Sequence, residues 1–344
     1  MSFTAFNSED SVISSDATIS PMWSNNVTTL TTFYSSSTQE LSTPGTFYLD
    51  VYQTSSALSE AEVQFSIAYG HISGSGSAYF NSTVPSKTPT RDIYGQFRSL
   101  IYGDENTPFT FGTSTAVSRD IIIISVNRAR FKESFNPGSM TLTLATGSNT
   151  LKLTDDSTVT TAATYIGTSR VYQLLSGSFD SVYSSNYTIS GSYGLMIPDE
   201  GLIILNPRAL ANPAGTLGGL GLIINEDSSA TVAAASPGYN YNNRTVFNIL
   251  SNGASIRLQN YETISSRYFF VRVKNADYNY TTNPTIIDSN GNLLYTSLVY
   301  NPQTYITSVG LYNNSGDLVA VAKLNKPLIK DFTKELLLRV KLDF

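Results

Sequence analysis

The 344-residue sequence predicts a mainly β protein: two β-sandwich-like domains with few short helices and an extended N-terminal arm. Three observations carry that reading. Near the C-terminus Leu336, Leu338, Val340, Leu342 and Phe344 share one face, while Glu335, Arg339, Lys341 and Asp343 mostly fill the other. A strict period of two belongs to a half-buried strand. Asp120–Val126 is continuously apolar and β-branched, the pattern of a central strand covered on both faces. Composition agrees: Tyr (22) and Phe (17) are abundant and charged residues reach only 14%, against roughly a quarter in a typical domain. Ser, Thr, Asn and Gly replace the charges, and aromatic and β-branched side chains suit a pleated surface.

Residues 1–45 are Ser/Thr/Asn-rich with weak periodicity and read as the arm. Phe3, Phe6, Met22 and Trp23 are its candidate anchors to a neighbouring subunit, because large aromatics often carry interface energy. On that expectation, deleting residues 1–30 leaves the fold intact and stops assembly. Residues 46–254 form the first β-rich domain, with strands at 47–52 and 63–70 and a flexible Gly/Ser segment at 74–77. One helix is predicted near 90–102, where Ile93, Phe97, Leu100 and Ile101 recur at helical spacing. Thr88-Pro89 offers its start and Gly103 its end. Met140, Leu142 and Leu144 alternate after an Asn136-Pro137-Gly138 turn, 145–170 has a hairpin character around Asp155-Asp156, and 171–205 contains several short strands. A glycine-rich loop at 215–221 precedes Leu222-Ile223-Ile224. Residues 255–344 form the second domain, opening on a strand at 268–273. A hairpin of 305–312 and 318–324 turns through 313–317, whose residues tolerate positive φ. Pro327 is expected to stop its ladder because it has no N–H to donate.

The chain offers little catalytic chemistry. His71 is the only histidine, so a Ser-His-Asp arrangement must use it, and a structural turn role is the preferred reading. With no cysteine, neither a disulfide nor a His/Cys metal site is supported. Asp104-Glu105, Asp155-Asp156, Asp199-Glu200 and Glu226-Asp227 are the acid pairs that glycoside cleavage could use, although each sits beside turn residues. Asp277, Asn279 and Thr281 match the first ligands of a calcium loop, but Thr282 stands where glycine is needed. Asp288-Ser289-Asn290-Gly291-Asn292 reads as a hairpin turn. The 215–221 loop lacks the Lys-Ser/Thr ending of a phosphate loop. No catalytic, cofactor-binding or metal residue is therefore assigned, and no cofactor is expected. Arg119, Arg128, Arg130 and Lys132 form the one basic cluster. Period two places Arg128, Arg130 and Lys132 on one face of an extended segment, either a charge-guarded sheet edge or a surface for an acidic neighbour. The net charge of −5 argues against nucleic acid as a partner. No apolar run is long enough for a membrane-spanning helix, and the N-terminus lacks signal-peptide character.

Three blocks carry a resemblance. The first is Phe65-Ser66-Ile67-Ala68-Tyr69-Gly70-His71 with Gly74-Ser75-Gly76-Ser77, Ile93-Tyr94-Gly95-Gln96-Phe97-Arg98-Ser99-Leu100 and Gly103-Asp104-Glu105. The second runs from Asp120 through Ile121-Ile122-Ile123-Ile124 to Arg128-Ala129-Arg130-Phe131-Lys132-Glu133, with Pro137-Gly138-Ser139. The third is Tyr305-Ile306-Thr307-Ser308-Val309-Gly310-Leu311-Tyr312-Asn313, Leu318-Val319-Ala320-Val321-Ala322-Lys323-Leu324, Lys326-Pro327-Leu328 and the tail to Phe344. Together they resemble virion structural proteins of large T4-like tailed phages, notably cyanobacterial myoviruses. The resemblance covers roughly residues 47–139 and 267–344. It implies a non-enzymatic subunit of a contractile-tailed virion, most naturally a baseplate or tail-fibre-attachment component. Its partners are then other tail or baseplate proteins in multiple copies, with assembly in the host cytoplasm. A neck, collar or head-decoration protein and a polysaccharide-cleaving tail component are the alternatives.

Overall fold

The computed structural model describes residues 4–35, 48–74, 89–112, 117–146, 149–160, 162, 164–188, 190–211 and 241–343. The chain divides into two compact units, a smaller one of Met1–Ala17 with Thr263–Phe344 and a larger one of Thr18–Glu262. Neither dividing point coincides with the expected boundaries at 45 and 254, because residues 18–35 and 255–262 pair with strands of the larger unit.

The first half contains β1 (Ser11–Pro21), β2 (Thr29–Leu30), β3 (Tyr34–Ser35), β4 (Tyr48–Tyr52), β5 (Val63–His71), α1 (Pro89–Tyr102), β6 (Phe109–Thr110), β7 (Val117–Ser118), β8 (Asp120–Val126), β9 (Ser134–Phe135), β10 (Thr141–Thr146) and β11 (Asn149–Asp155). There follow β12 (Thr164–Ile166), β13 (Ser169–Ser178), β14 (Ser181–Ser184), β15 (Gly194–Ile197), β16 (Leu202–Leu205), α2 (Pro207–Ala211), α3 (Tyr241–Ser251), β17 (Ser255–Arg257), β18 (Gln259–Val273), α4 (Thr296–Tyr300), β19 (Thr304–Tyr312), β20 (Leu318–Lys330) and β21 (Leu336–Asp343). The mainly β expectation holds. Among the described residues three α-helices join the one predicted; α3 had a legible signal in Val246, Phe247, Ile249 and Leu250, all buried, at helical spacing.

In the larger unit most of the described strands form one antiparallel sheet in the order β2-β17-β10-β11-β13-β15-β16-β8-β5-β4-β3, with β12 and β14 on β13, while β6 pairs with β7 and β9 with β18. The two ends of that path are neighbours in sequence. Leu30 of β2 pairs with Ile256 and Tyr34 of β3 pairs with Tyr52. Consecutive Cα atoms are 3.8 Å apart, so the residues between them hold the two ends within about 15 Å. The sheet therefore curls nearly to closure, and segment 18–35 is its clasp. The concave face encloses a core that includes Leu30, Phe33, Val51, Phe65, Ile122, Ile124, Leu142, Met196 and Ile256, with α3 packed on it. On β8 the alternate residues Ile121 and Ile123 face outward beneath Tyr94 and Ile101 of α1. That strand is covered on both faces, as its composition predicts.

In the smaller unit β18 lies between β1 and β21. Phe269 pairs with Val340 and Val271 with Leu338, and Leu338 and Val340 are buried while Arg339 and Lys341 are exposed. The last strand is thus pinned as its alternation predicts; Phe344 lies outside the described residues. β19 and β20 pair only with each other among the described strands. The ladder does not end at Pro327. Its register jumps from Ile306↔Leu328 to Ser308↔Lys323, so residues 324–327 bulge opposite Thr307 and pairing resumes beyond them. The missing N–H falls in the bulge, where no rung needs it. At the end of β20 the Lys330 side chain is fully buried. Its Nζ donates to Asn275 O (3.0 Å), Asn279 Oδ1 (2.7 Å) and Asp331 O (2.8 Å), which pins residues 275–279 to the ribbon.

Candidate interaction surfaces

The expected anchors separate. Met22 and Trp23 are 3% and 2% exposed. Trp23 Nε1 donates to Ile256 O at 3.0 Å, and its ring meets Phe65 edge-on at 6.1 Å. They are core residues of their own chain, which corrects the expectation that they reach a neighbour. Phe6 belongs to the smaller unit, where its ring lies 5.5 Å from Phe269 and stays 41% exposed. Phe3 lies outside the described residues, as do Glu226-Asp227 and the 215–221 loop.

The basic cluster does not form one face. Residues 128–130 are a turn, closed by Arg130 N donating to Asn127 O at 2.8 Å and by Ala129 N donating to Asn127 Oδ1 at 2.9 Å. Period two does not apply to a turn, and Asn127, a turn former, was the overlooked signal. Arg128 lies over the Phe131 ring at 4.5 Å. Arg130 turns inward to Glu62 (2.9 Å) and Ser24 Oγ (2.6 Å), and Lys132 pairs with Glu262 at 2.5 Å. The Ser24 hydroxyl, and after it Arg130, hold the Glu62 carboxyl below its ordinary range. Arg130 therefore ties segment 18–35 to Glu62, while Arg128 and Lys132 stay exposed, one over Phe131 and the other paired with Glu262.

The acid pairs have structural surroundings. Asp155 accepts from the backbone N–H of Gly138 at 2.9 Å and of Ser157 at 3.3 Å. Asp156 accepts from Gln173 N at 3.0 Å and Thr160 Oγ1 at 3.1 Å. Instead of a hairpin tip they mark the end of β11 and the start of a 3-10 turn. Burial pushes both carboxyls above the usual aspartate range, against the lowering effect of those donors. Asp199 pairs with Arg170 at 2.7 Å, and Asp104 caps the N–H groups of Asn106 and Thr107. His71 is fully buried, its Nδ1 accepting from Ser73 N at 3.1 Å. Among the described residues no group of three or more His, Cys, Asp or Glu could hold a metal ion.

A sign follows from Asp155 and Asp156. A carboxyl with a raised folded value adds stability that is complete below the unfolded aspartate pKa, about 3.9, and lost as pH rises through the folded value. Relative to Asp155→Asn, the parent chain is expected to gain unfolding free energy as pH falls from about 7 toward 4. Trp23, the only tryptophan, reports on the larger unit by fluorescence. A parent advantage that shrinks on acidification overturns the assignment.

Two surfaces remain. In the larger unit a groove of about 540 Å³ is lined by Asn136, Tyr172, Phe179, Asp180 and Gln259 among others, with Arg257 stacked 4.0 Å over Phe179. Its lining includes one carboxylate, where glycoside cleavage needs a pair. In the smaller unit large apolar side chains face outward on the ribbon and the preceding segment: Tyr300 is 91% exposed, Val319 67%, Val321 61% and Tyr280 58%. Exposed apolar side chains of this size are candidates for contact with another surface. No described helix is long and apolar enough to cross a membrane. Comparison of the chain with protein-family models, curated proteins and solved structures finds no match.

Proposed function

We propose that the chain is a non-enzymatic structural subunit of a contractile-tailed phage virion, at the baseplate or the fibre attachment. The observation that carries this reading is the set of large apolar side chains that the smaller unit exposes, among them Tyr280, Tyr300, Val319 and Val321. Side chains of this size in water favour association, at roughly 25 cal/mol per Å² of apolar area covered. The low charge of the chain suits a permanent contact, because charged residues are depleted at interface cores. The larger unit supplies the nearly closed sheet, and the smaller unit supplies the adhesive surface. The resemblance of the three sequence blocks to phage structural proteins supplies the virion setting.

Purified particles of the phage that encodes the chain provide the test. The chain is expected among the particle proteins by mass spectrometry, and gold-labelled antibody is expected at the tail tip. Absence from particles, or label on the head or neck, refutes the tail assignment.

A further inference from the structure

The two edges of the β19–β20 ribbon differ in chemistry. β20 carries Lys323, Lys326 and Pro327, the residues with which proteins guard an exposed edge. β19 reads Thr-Tyr-Ile-Thr-Ser-Val-Gly-Leu-Tyr, with no charge and no proline. Its inner edge is paired with β20, and no other described strand pairs with its outer edge. A nine-residue uncharged strand whose outer edge pairs with no described strand is a template for one more strand.

We infer that the outer edge of β19 pairs antiparallel with β19 of a second copy of this chain, about a two-fold axis at Ser308. This rests on the assembly reading above and names its first partner. The choice of occupant follows from the strand itself. Ser308 is the midpoint of Thr304–Tyr312, so this register gives the longest ladder. It sets Tyr305 opposite Leu311, Thr307 opposite Val309 and Ile306 opposite Gly310. Apolar and β-branched residues thus meet on the same faces, and no like charges oppose each other. The pairing is isologous and closes on itself, so it yields a dimer and not a fibre.

The chain lacks cysteine, so Ser308→Cys places a single thiol at the axis. Opposed residues of antiparallel strands have Cα atoms about 4.5–5.5 Å apart, within disulfide reach. The full-length S308C chain is expected to give a disulfide-linked dimer on mild oxidation, at least tenfold faster than Val319→Cys on the other strand. The parent chain is expected to sediment as a dimer. Thr307→Lys, which adds an ammonium to the open edge, is expected to weaken that dimer at least tenfold while far-UV circular dichroism is unchanged. Equal cross-linking of S308C and V319C, or a parent chain monomeric at about 100 μM with no S308C cross-link, overturns the pairing. A failed cross-link in a chain found in particles removes the self-pairing alone. A cross-linked dimer missing from particles removes the virion reading alone.

Discussion

Trp23→Ala is expected to cost the larger unit about 3–5 kcal/mol, the range for truncating a buried Trp or Phe to alanine. Three losses combine. The ring leaves a cavity beside Phe65, since Trp23 is 2% exposed and meets that ring edge-on. The carbonyl of Ile256 loses its indole donor, and a buried acceptor left unmet costs about 1–3 kcal/mol. The clasp also loses its main anchor where the sheet nearly closes. Domain stabilities are about 5–15 kcal/mol, so the change takes a large share. Urea unfolding followed by circular dichroism should show a lower midpoint with an unchanged slope. Trp23→Phe should recover part of the loss, because a ring returns without the N–H. Deleting residues 1–30 removes Met22, Trp23 and Leu30 together and should prevent folding of the larger unit. This reverses the sequence-based expectation that the truncated chain folds. A near-parental midpoint for Trp23→Ala would show that the clasp is dispensable.

Lys330→Met should loosen the smaller unit by about 2–4 kcal/mol, judged from the cost of unmet buried acceptors. Methionine fills much of the same volume but withdraws the ammonium from three oxygens, leaving those of Asn279 and Asp331 without it, while Asn275 O keeps a donor in Asn279 Nδ2 at 2.6 Å. Lys330→Arg should not rescue it, because a planar fork cannot replace a compact ammonium in a three-oxygen cup. Hydrogen exchange read by mass spectrometry locates the effect. Amides of residues 275–279 and the end of β20 should exchange faster in both variants. Parental protection in Lys330→Met would mean that the lysine does not order this segment.

The strands that could be read from sequence are those whose burial follows from their own periodicity. β5 and β21 each repeat an apolar face over seven residues or more, and β8 is apolar on both faces almost throughout, so local pattern and tertiary environment agree. The clasp could not be read that way. β2 and β3 have two residues each, too few for any period, and their burial depends on partners far along the chain. A polar composition around Trp23 then looks like a tail, although Met22, Trp23, Leu30 and Phe33 are buried. The basic cluster failed for a local reason, since Asn127 turns the chain where an extended segment was assumed. For Lys330, one lysine among the ribbon's lysines, nothing in the sequence marks it as the buried one.

The near-closure of the sheet also sets an order of events during synthesis. Trp23 and the carbonyl it binds are 233 positions apart, so at 5–20 residues per second the ribosome needs roughly 10–50 s to deliver the second after the first. Through that interval the nascent chain carries an unburied tryptophan and bare strand edges. Chaperone capture of the newborn N-terminal segment, released only once β17 emerges, is what such a delay favours.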